Sequence, residues 1–138
     1  MTFASVEEML EAARQGLTRL TPAEAREAVD GGAILVDIRP AWQRERDGEI
    51  LGALIVERNH LEWRLHPESG ACLPVATRSQ RWIVYCAEGY TSSLAVRSLL
   101  DLGLDAADLE GGIVAWREAG FEVQAGPSPI EQFVSEAT

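Results

Sequence analysis

The residue in this sequence best placed to do chemistry is Cys86, which directly follows the apolar run WIVY at residues 82–85. The stretch after it is short and contains a glycine and aliphatic hydroxyls: Ala87, Glu88, Gly89, Tyr90, Thr91 and Ser92. Such a loop can turn successive backbone N–H groups inward, and the helix N-terminus expected after it adds a positive partial charge. These donors stabilise a thiolate, the form of cysteine that attacks. No histidine adjoins Cys86, so assistance by backbone amides is favoured over a Cys–His pair.

Cys86 also has a purely structural interpretation, because a cysteine at the end of an apolar strand often packs as a small core residue. A structural strand end does not require a glycine, hydroxyl residues and a helix start in immediate succession. The composition of the loop therefore favours a functional role for Cys86 over core packing alone.

The other cysteine and the two histidines give weaker signals. Cys72 lies among the turn formers of residues 67–80 and is interpreted as an incidental thiol, with a resolving thiol as the alternative. His60 and His66 are six residues apart, which places them on different faces of a helix and disfavours a shared metal. The sequence predicts no metal and no organic cofactor. All 12 basic residues are arginines, which excludes catalysis by a lysine.

Length and charge restrict the class of protein. The chain of 138 residues has the size of one ordinary domain, and its net charge is −10. A chain this acidic is repelled by phosphate backbones, and no apolar run approaches the ~18–20 residues that span a bilayer. Two cysteines cannot form a disulfide framework. We therefore predict a reduced, cytoplasmic protein with neither a nucleic-acid nor a membrane partner.

Helix and strand signals alternate along the chain. Helices are predicted over residues 5–15, from Thr21 to the glycines at 31 and 32, and over 40–46, 93–102 and 113–119, with another capped by Asn59. Strands are predicted at residues 34–37, 52–56, 82–86 and 108–109, and residues from 124 onward as an appendage. This alternation favours a parallel sheet with helices on both faces. Ligands of such sheets bind beyond the carboxyl ends of the strands, where Asp37 and Cys86 stand.

Three segments together resemble one family, the rhodanese-like sulfurtransferases. They are LVDIRPAWQRERDGEILGAL at residues 35–54, VYCAEGYTSS at 84–93 and LEGGIVAW at 109–116. The resemblance implies a three-layer α/β fold with about five parallel strands flanked by helices on both faces. It implies a rhodanese-like domain at residues 17–124, with an N-terminal helical extension at 1–16 and a C-terminal tail at 125–138.

The same resemblance implies roles for individual residues. Cys86 would be the nucleophile that carries a persulfide, and the amides of residues 87–92 would hold the outer sulfur or the oxyanion of the donor. Asp37 and Arg39 would support the loop, while Gly112 and Trp116 would be structural. The expected reaction moves sulfane sulfur from thiosulfate or a thiol persulfide to cyanide or a thiol, a protein thiol included. The terminal segments are candidates for a homodimer contact.

The sequence departs from the family pattern at two places. Glu49 and Leu51 stand where the family usually has His and Pro, a change expected to affect turn geometry. The loop carries Glu88 and no basic side chain, which disfavours a dianion such as thiosulfate and makes a neutral or thiol-borne persulfide at least as suitable a donor. The arginines at 44, 46, 58 and 64 are expected at the rim of the site or, for the most part, on solvated faces or in ion pairs.

Other functions of the same fold remain as alternatives. Phosphatase chemistry requires an arginine six residues after the cysteine, but Ser92 stands there and Arg97 lies too far along the helix. Two further alternatives are a non-catalytic rhodanese module that binds a partner protein and a thiol-redox sensor that uses Cys72 and Cys86.

Overall fold

The structure, a computed structural model, describes residues 2–129. Within that range five strands form one parallel sheet: β1 (Arg19–Leu20), β2 (Ile34–Asp37), β3 (Leu54–Ile55), β4 (Arg81–Tyr85) and β5 (Asp105–Leu109). The strand order is β1-β5-β4-β2-β3, so β4 lies at the centre and ends directly before Cys86.

Six α-helices in the same range connect and cover these strands. They are α1 (Val6–Ala13), α2 (Pro22–Asp30), α3 (Ala41–Asp47), α4 (Leu61–Leu65), α5 (Thr91–Asp101) and α6 (Gly112–Glu118). The capping box predicted at Thr21 is present, because the Thr21 hydroxyl accepts from the Glu24 amide and the Glu24 carboxylate accepts from the Thr21 amide.

The two faces of the sheet carry separate hydrophobic cores, as period-two alternation requires. Along β4, Trp82 and Val84 point into one core together with Cys86, while Ile83 and Tyr85 point into the other. The first core also contains buried residues of α4 and α5, and the second contains those of α2 and α6. The predicted three-layer arrangement of a parallel sheet between helices is confirmed.

Several local expectations differ from the structure. The sequence does not predict β1, because a two-residue strand leaves no pattern. β5 begins at Asp105 rather than at residue 108. The alanine-rich segment before residue 108 has low strand propensity, but its pairing with the central strand β4 makes it part of β5. Asn59 does not cap a helix: it lies in a 3₁₀ turn at Arg58–His60, and α4 begins at Leu61 without a side-chain cap.

Glu49 does more than shape a turn, because it is a buried ion with only 1% of its surface exposed. Arg44, predicted at the rim or surface, is equally buried and donates from Nη1 to Glu49 Oε2 at 2.9 Å. Ser128 donates to the same carboxylate from its hydroxyl at 2.6 Å and from its amide at 2.9 Å. Gln124 forms an antiparallel bridge with Glu49, so residues 124–128 are attached to the domain. The domain limits at 17 and 124 stay a prediction, and residues 130–138 lie outside the described part.

The environment of Glu49 favours its charged form. Burial raises the pKa of this carboxyl, but hydrogen bonds from Ser128 and Arg44 and the positive charge of Arg44 outweigh burial. The net effect is a pKa below the ordinary value of a glutamate. The Arg44–Glu49 pair is therefore an internal ion pair that the folded protein keeps ionised.

Replacing Glu49 with Gln leaves the buried guanidinium of Arg44 with only the longer contact to Glu57 Oε2, at 3.8 Å, as an ion pair, and we expect a loss of about 3 kcal/mol in the free energy of unfolding. The contribution of Glu49 is complete above the ordinary glutamate pKa of about 4.3 and disappears as the pH falls through the lowered value. Urea unfolding at neutral and acid pH measures both effects. Glu45→Gln on the exposed side of α3 is the control, and an E49Q protein as stable as E45Q would contradict the prediction.

Candidate active site

Cys86 lies at the carboxyl end of the central strand, with 4% of its surface exposed. Its Sγ accepts a hydrogen bond from the Gly89 amide at 3.3 Å and donates one to Ser92 Oγ at 3.3 Å. The sulfur is therefore enclosed by residues 87–92, which we call the cradle loop. The role predicted for the amides of this loop in binding a sulfur donor stays a prediction.

Helix α6 holds the first half of the cradle loop by its carbonyl oxygens. The Ile113 amide donates to the Cys86 carbonyl at 3.1 Å, and the Val114 amide donates to the Ala87 carbonyl at 3.2 Å. The first N–H groups of a helix have no partner within the helix, so they are free to bind a neighbouring segment. Two peptide groups of the cradle loop are thereby fixed with their oxygens toward α6.

Two arginines hold the second half of the cradle loop in a similar manner. The Gly89 carbonyl accepts from Arg14 Nη2 at 2.8 Å and from Arg19 Nη2 at 3.3 Å. The Ser93 hydroxyl lies 3.3 Å from the same oxygen. A third peptide group of the loop is therefore fixed with its oxygen toward the guanidinium groups.

These anchors set the direction of the amides that follow each carbonyl. In a trans peptide the C=O and the next N–H point to opposite sides, so the amides of Ala87, Glu88 and Tyr90 point away from the anchors. Within residues 2–129 these three N–H groups have no acceptor in the protein. They are unpaired donors of the loop that follows Cys86, and backbone N–H groups of this kind can bind an anion or a developing negative charge.

Glycines permit the close approach of α6 to the cradle loop. Gly112 has a φ of +59°, and a Cβ at this position would lie 2.5 Å from the carbonyl oxygens of Cys86 and Ala87. Gly89 has a φ of +90°, and a Cβ there would lie 2.8 Å from the Gly111 amide nitrogen. Both positions favour glycine for conformation and for space. The two glycines of the LEGGIVAW segment, Gly111 and Gly112, which we call the Gly-Gly motif, thus pack directly against the loop that carries the candidate nucleophile.

A buried carboxylate behind the cradle loop organises its hydroxyl side chains. Asp108 accepts from Ser92 Oγ at 2.5 Å, from Ser93 Oγ at 2.5 Å and from Arg19 Nε at 3.0 Å. Ser92 is thus committed to Asp108 on one side and to the sulfur of Cys86 on the other. Sequence reasoning missed Asp108, although it directly precedes the LEGGIVAW segment and pairs with Val84 in the sheet.

Asp37 and Arg39 form a buried pair beside the site. Arg39 Nε donates to Asp37 Oδ1 at 2.9 Å, and Nη2 donates to Oδ2 at 2.6 Å. The pair also contacts the Gly48 carbonyl and the Tyr85 hydroxyl, which donates to Asp37 Oδ2 at 2.8 Å. Burial and the charge of Asp37 raise the pKa of Tyr85, which keeps this hydroxyl protonated. The pair therefore fixes Tyr85, the residue before Cys86. The support of the cradle loop that was predicted for Asp37 and Arg39 would act through Tyr85.

The outer side chains of the cradle loop face solvent. Glu88, Tyr90 and Thr91 are exposed, whereas Gly89 and Ser92 are buried. Arg46 lies near enough to interact with the charge of Glu88: Asp47 raises the pKa of Arg46 most, and Glu88 adds to the effect. The guanidinium of Arg46 lies 5.1 Å from the ring centroid of the exposed Trp42. The rim near Glu88 therefore carries a basic side chain paired with Asp47, and an aromatic side chain.

The remaining sequence candidates have other hydrogen-bond partners or only a packing role in the described residues. Cys72 is a free, half-buried thiol whose Sγ contacts the Pro67 carbonyl at 3.6 Å. His60 is buried and His66 is half-buried. Residues 2–129 contain no group of three potential metal-ligating side chains and no helix long and apolar enough to cross a bilayer.

Comparison with known proteins gives the class of this fold and site. The rhodanese-like domain family matches residues 21–119, well over half of the chain, and the chain belongs to this family. The match contains Cys86, the cradle loop and the Gly-Gly motif. It begins after α1 and therefore does not include Arg14.

Solved structures agree with this assignment. A protein of unknown function from Rhodopseudomonas palustris CGA009, described as a possible tyrosine phosphatase, is 33% identical with a TM-score of 0.80, and the match covers 90% of this chain and 98% of that chain. A rhodanese-related protein from Thermoplasma volcanium is 28% identical with a TM-score of 0.63, covering 77% and 96%. A thiosulfate sulfurtransferase from Pseudomonas aeruginosa shares the fold at 24% identity and a TM-score of 0.70, covering 94% and 25%. No curated protein matches this chain.

The substitution Gly112→Ala tests the packing of α6 against the cradle loop. We expect it to destabilise the protein by about 1–2 kcal/mol for the positive φ and by a further ~1–3 kcal/mol for the contact with the two carbonyl oxygens. Gly120→Ala is the matched control, because Gly120 has a φ of +88° but a Cβ added there would meet no atom within 4 Å. Urea unfolding of both variants measures the difference, and equal losses would contradict the predicted contact.

Proposed function

We propose that this protein is a sulfurtransferase that moves sulfane sulfur through a persulfide on Cys86. The observation that carries the proposal is the position of Sγ at the end of β4, with the Gly89 amide donating to it at 3.3 Å. Membership of the rhodanese-like family supports this chemistry, and so does the fold shared with a thiosulfate sulfurtransferase.

The proposed reaction consists of two displacements at sulfur. The Cys86 thiolate attacks the sulfane sulfur of the donor, an S–S bond forms on Cys86, and the donor leaves with the electron pair of the broken bond. Thiosulfate would leave as sulfite, and a thiol persulfide would leave as a thiolate. An acceptor thiolate or cyanide then attacks the outer sulfur, and Cys86 leaves as the thiolate.

The backbone donors of the cradle loop would supply the catalysis. In the first step, negative charge moves from the Cys86 sulfur to the leaving group. Once the persulfide has formed, its outer sulfur carries negative charge. The amides of Ala87, Glu88 and Tyr90 have no acceptor within residues 2–129, so they can bind that charge without reorganisation. No lysine or histidine is required for this arrangement.

We propose a persulfide of a thiol as the preferred donor. The cradle loop carries the exposed Glu88 and no basic side chain, and Arg46 offsets this charge only in part. A dianion such as thiosulfate therefore meets a less favourable potential at the rim than a donor of lower charge. Acceptors would be a small thiol, a protein thiol or cyanide, in a reducing compartment such as the cytoplasm.

A phosphatase function has less support, even though one related structure is described as a possible tyrosine phosphatase. Ser92 occupies the position six residues after Cys86, and its side chain is bound to Cys86 and Asp108. Arg97 donates instead to the carbonyls of Ala13 and Gln15. The bidentate arginine that holds a tetrahedral oxyanion in such enzymes has no equivalent at these positions.

Intact-protein mass spectrometry tests the proposed persulfide. After exposure to a small-thiol persulfide, and separately to thiosulfate, we expect one added sulfur atom on the wild-type protein and none on Cys86→Ser. Cys72→Ser is the control, because it removes the other thiol and leaves the cradle loop unchanged; it should load like the wild type.

Two outcomes would contradict the proposal. Loading of C86S to the same extent as the wild type would assign the sulfur to another residue. Absence of loading with every donor would favour a non-catalytic partner-binding module, and a disulfide between Cys72 and Cys86 under mild oxidation would then favour the redox sensor.

The substitution Glu88→Lys tests the choice of donor. The added positive charge attracts thiosulfate in the ground and transition states alike, so KM for thiosulfate should fall with little change in kcat. At ~5–6 Å in a partly solvated site we expect a gain on the order of 1 kcal/mol, reduced by salt. Glu27→Lys on α2 makes the same charge change away from the cradle loop. Equal effects of the two variants on KM would place the Glu88 side chain away from the donor.

A further inference from the structure

Arg14 connects the N-terminal helix to the cradle loop. It is the C-terminal cap residue of α1, outside the residues that match the family. Its Nη2 donates to the Gly89 carbonyl at 2.8 Å, and its Nε donates to Ser93 Oγ at 2.9 Å. One guanidinium therefore holds two points of the active-site segment that are separated from it by more than 70 positions in the sequence.

We propose that Arg14 is a positioning residue of the cradle loop, which makes α1 part of the active site. The consequence for catalysis rests on the proposed sulfurtransferase function, whereas the effect on the direction of the loop amides does not.

The geometry of one peptide group carries this proposal. The Arg14 guanidinium fixes the oxygen of the Gly89–Tyr90 peptide, and the Tyr90 N–H must then point to the opposite side of that peptide plane. Gly89 has a φ of +90° and no side chain, so the loop itself offers little resistance to rotation of this peptide. An external hydrogen bond is thus needed to hold the Tyr90 N–H in one direction.

Arg19 holds the same carbonyl less strongly than Arg14 does. Its contact with the Gly89 carbonyl is longer, at 3.3 Å, and its Nε is occupied by the buried carboxylate of Asp108 at 3.0 Å. Arg14 makes the shorter bond and has no carboxylate partner within residues 2–129. It is therefore the principal anchor of the Gly89 carbonyl.

The attachment of α1 supports the same inference. Most of α1 is exposed, and Ala13 is its buried residue. Arg97 of α5 donates to the carbonyls of Ala13 and Gln15, which lie on either side of Arg14. The helix is consequently held at its C-terminal end, where Arg14 reaches the cradle loop, rather than along its length.

Alkylation of Cys86 by a charged and a neutral reagent tests the proposal without requiring turnover. Iodoacetate places a carboxylate near the loop amides as it reacts, whereas iodoacetamide does not. In Arg14→Met we expect the ratio of the iodoacetate rate to the iodoacetamide rate to fall by about threefold to tenfold. This loss is smaller than the roughly 10²–10³ typical of a lost oxyanion donor, because Arg19 retains its weaker contact.

Arg26→Met is the matched control. Arg26 lies on the exposed side of α2 near Phe121, so the substitution removes the same charge without touching the cradle loop. The ratio should be unchanged in this variant. Both variants are compared at low salt and at ~1 M salt, where charges acting through solvent are screened beyond ~3 Å.

The outcomes separate positioning from other roles of Arg14. A lowered ratio of the iodoacetate rate to the iodoacetamide rate that is seen only in R14M and persists at high salt supports positioning. A deficit that disappears at high salt, equal deficits in both variants, or equal changes with both reagents would overturn it, since these indicate through-space charge or altered thiol exposure.

Sulfur loading gives a separate readout. If the protein is a sulfurtransferase, kcat for loading should fall in R14M by a larger factor than KM rises, because the Tyr90 amide acts on charge that develops during the reaction. A wild-type protein that does not load sulfur, together with a reduced alkylation ratio in R14M, would reject the proposed function and retain the positioning role.

Discussion

The candidate site depends on two hydrogen bonds between backbone groups, from the first amides of α6 to the carbonyls of Cys86 and Ala87. They require that α6 lie against the end of β4 at a distance that only glycine at 112 permits. They also fix the direction of the peptides that begin the cradle loop, and hence of the amides near the sulfur. A helix start can do this without a charged side chain, since its N–H groups have no partner within the helix.

Buried ions complete the carboxyl edge of the sheet, and arginine suits this task better than lysine would. Each of three guanidinium groups bonds one buried carboxylate and at least one backbone carbonyl, which a planar group with five N–H donors can do and an ammonium does less well. These arginines fix the Gly48 turn, the cradle loop and the segment around residue 128: the pairs are Arg39 with Asp37, Arg19 with Asp108, and Arg44 with Glu49.

The features that could be predicted from the sequence are those with a local signature. A continuous apolar run predicted β4, turn residues predicted the loop after Cys86, and capping patterns predicted the helix starts at Ser5 and Thr21. Arg14, Arg19 and Asp108 left no such signature, because their partners lie 15 to 89 positions away and a lone charged residue usually indicates a surface. Arg44 and Glu49 are only five positions apart, but their burial left no local signature either, because both also bind Ser128, which lies 84 and 79 positions away.

The two edge strands, β1 and β3, contain only two residues each. An exposed edge can recruit a strand of another chain through its unpaired N–H and C=O groups, and a short edge offers few of them. The sheet is therefore a poor template for continuation from one molecule into the next. Self-association through the surfaces of helices and loops would leave the order of the strands unchanged, with β4 still at the centre of the sheet.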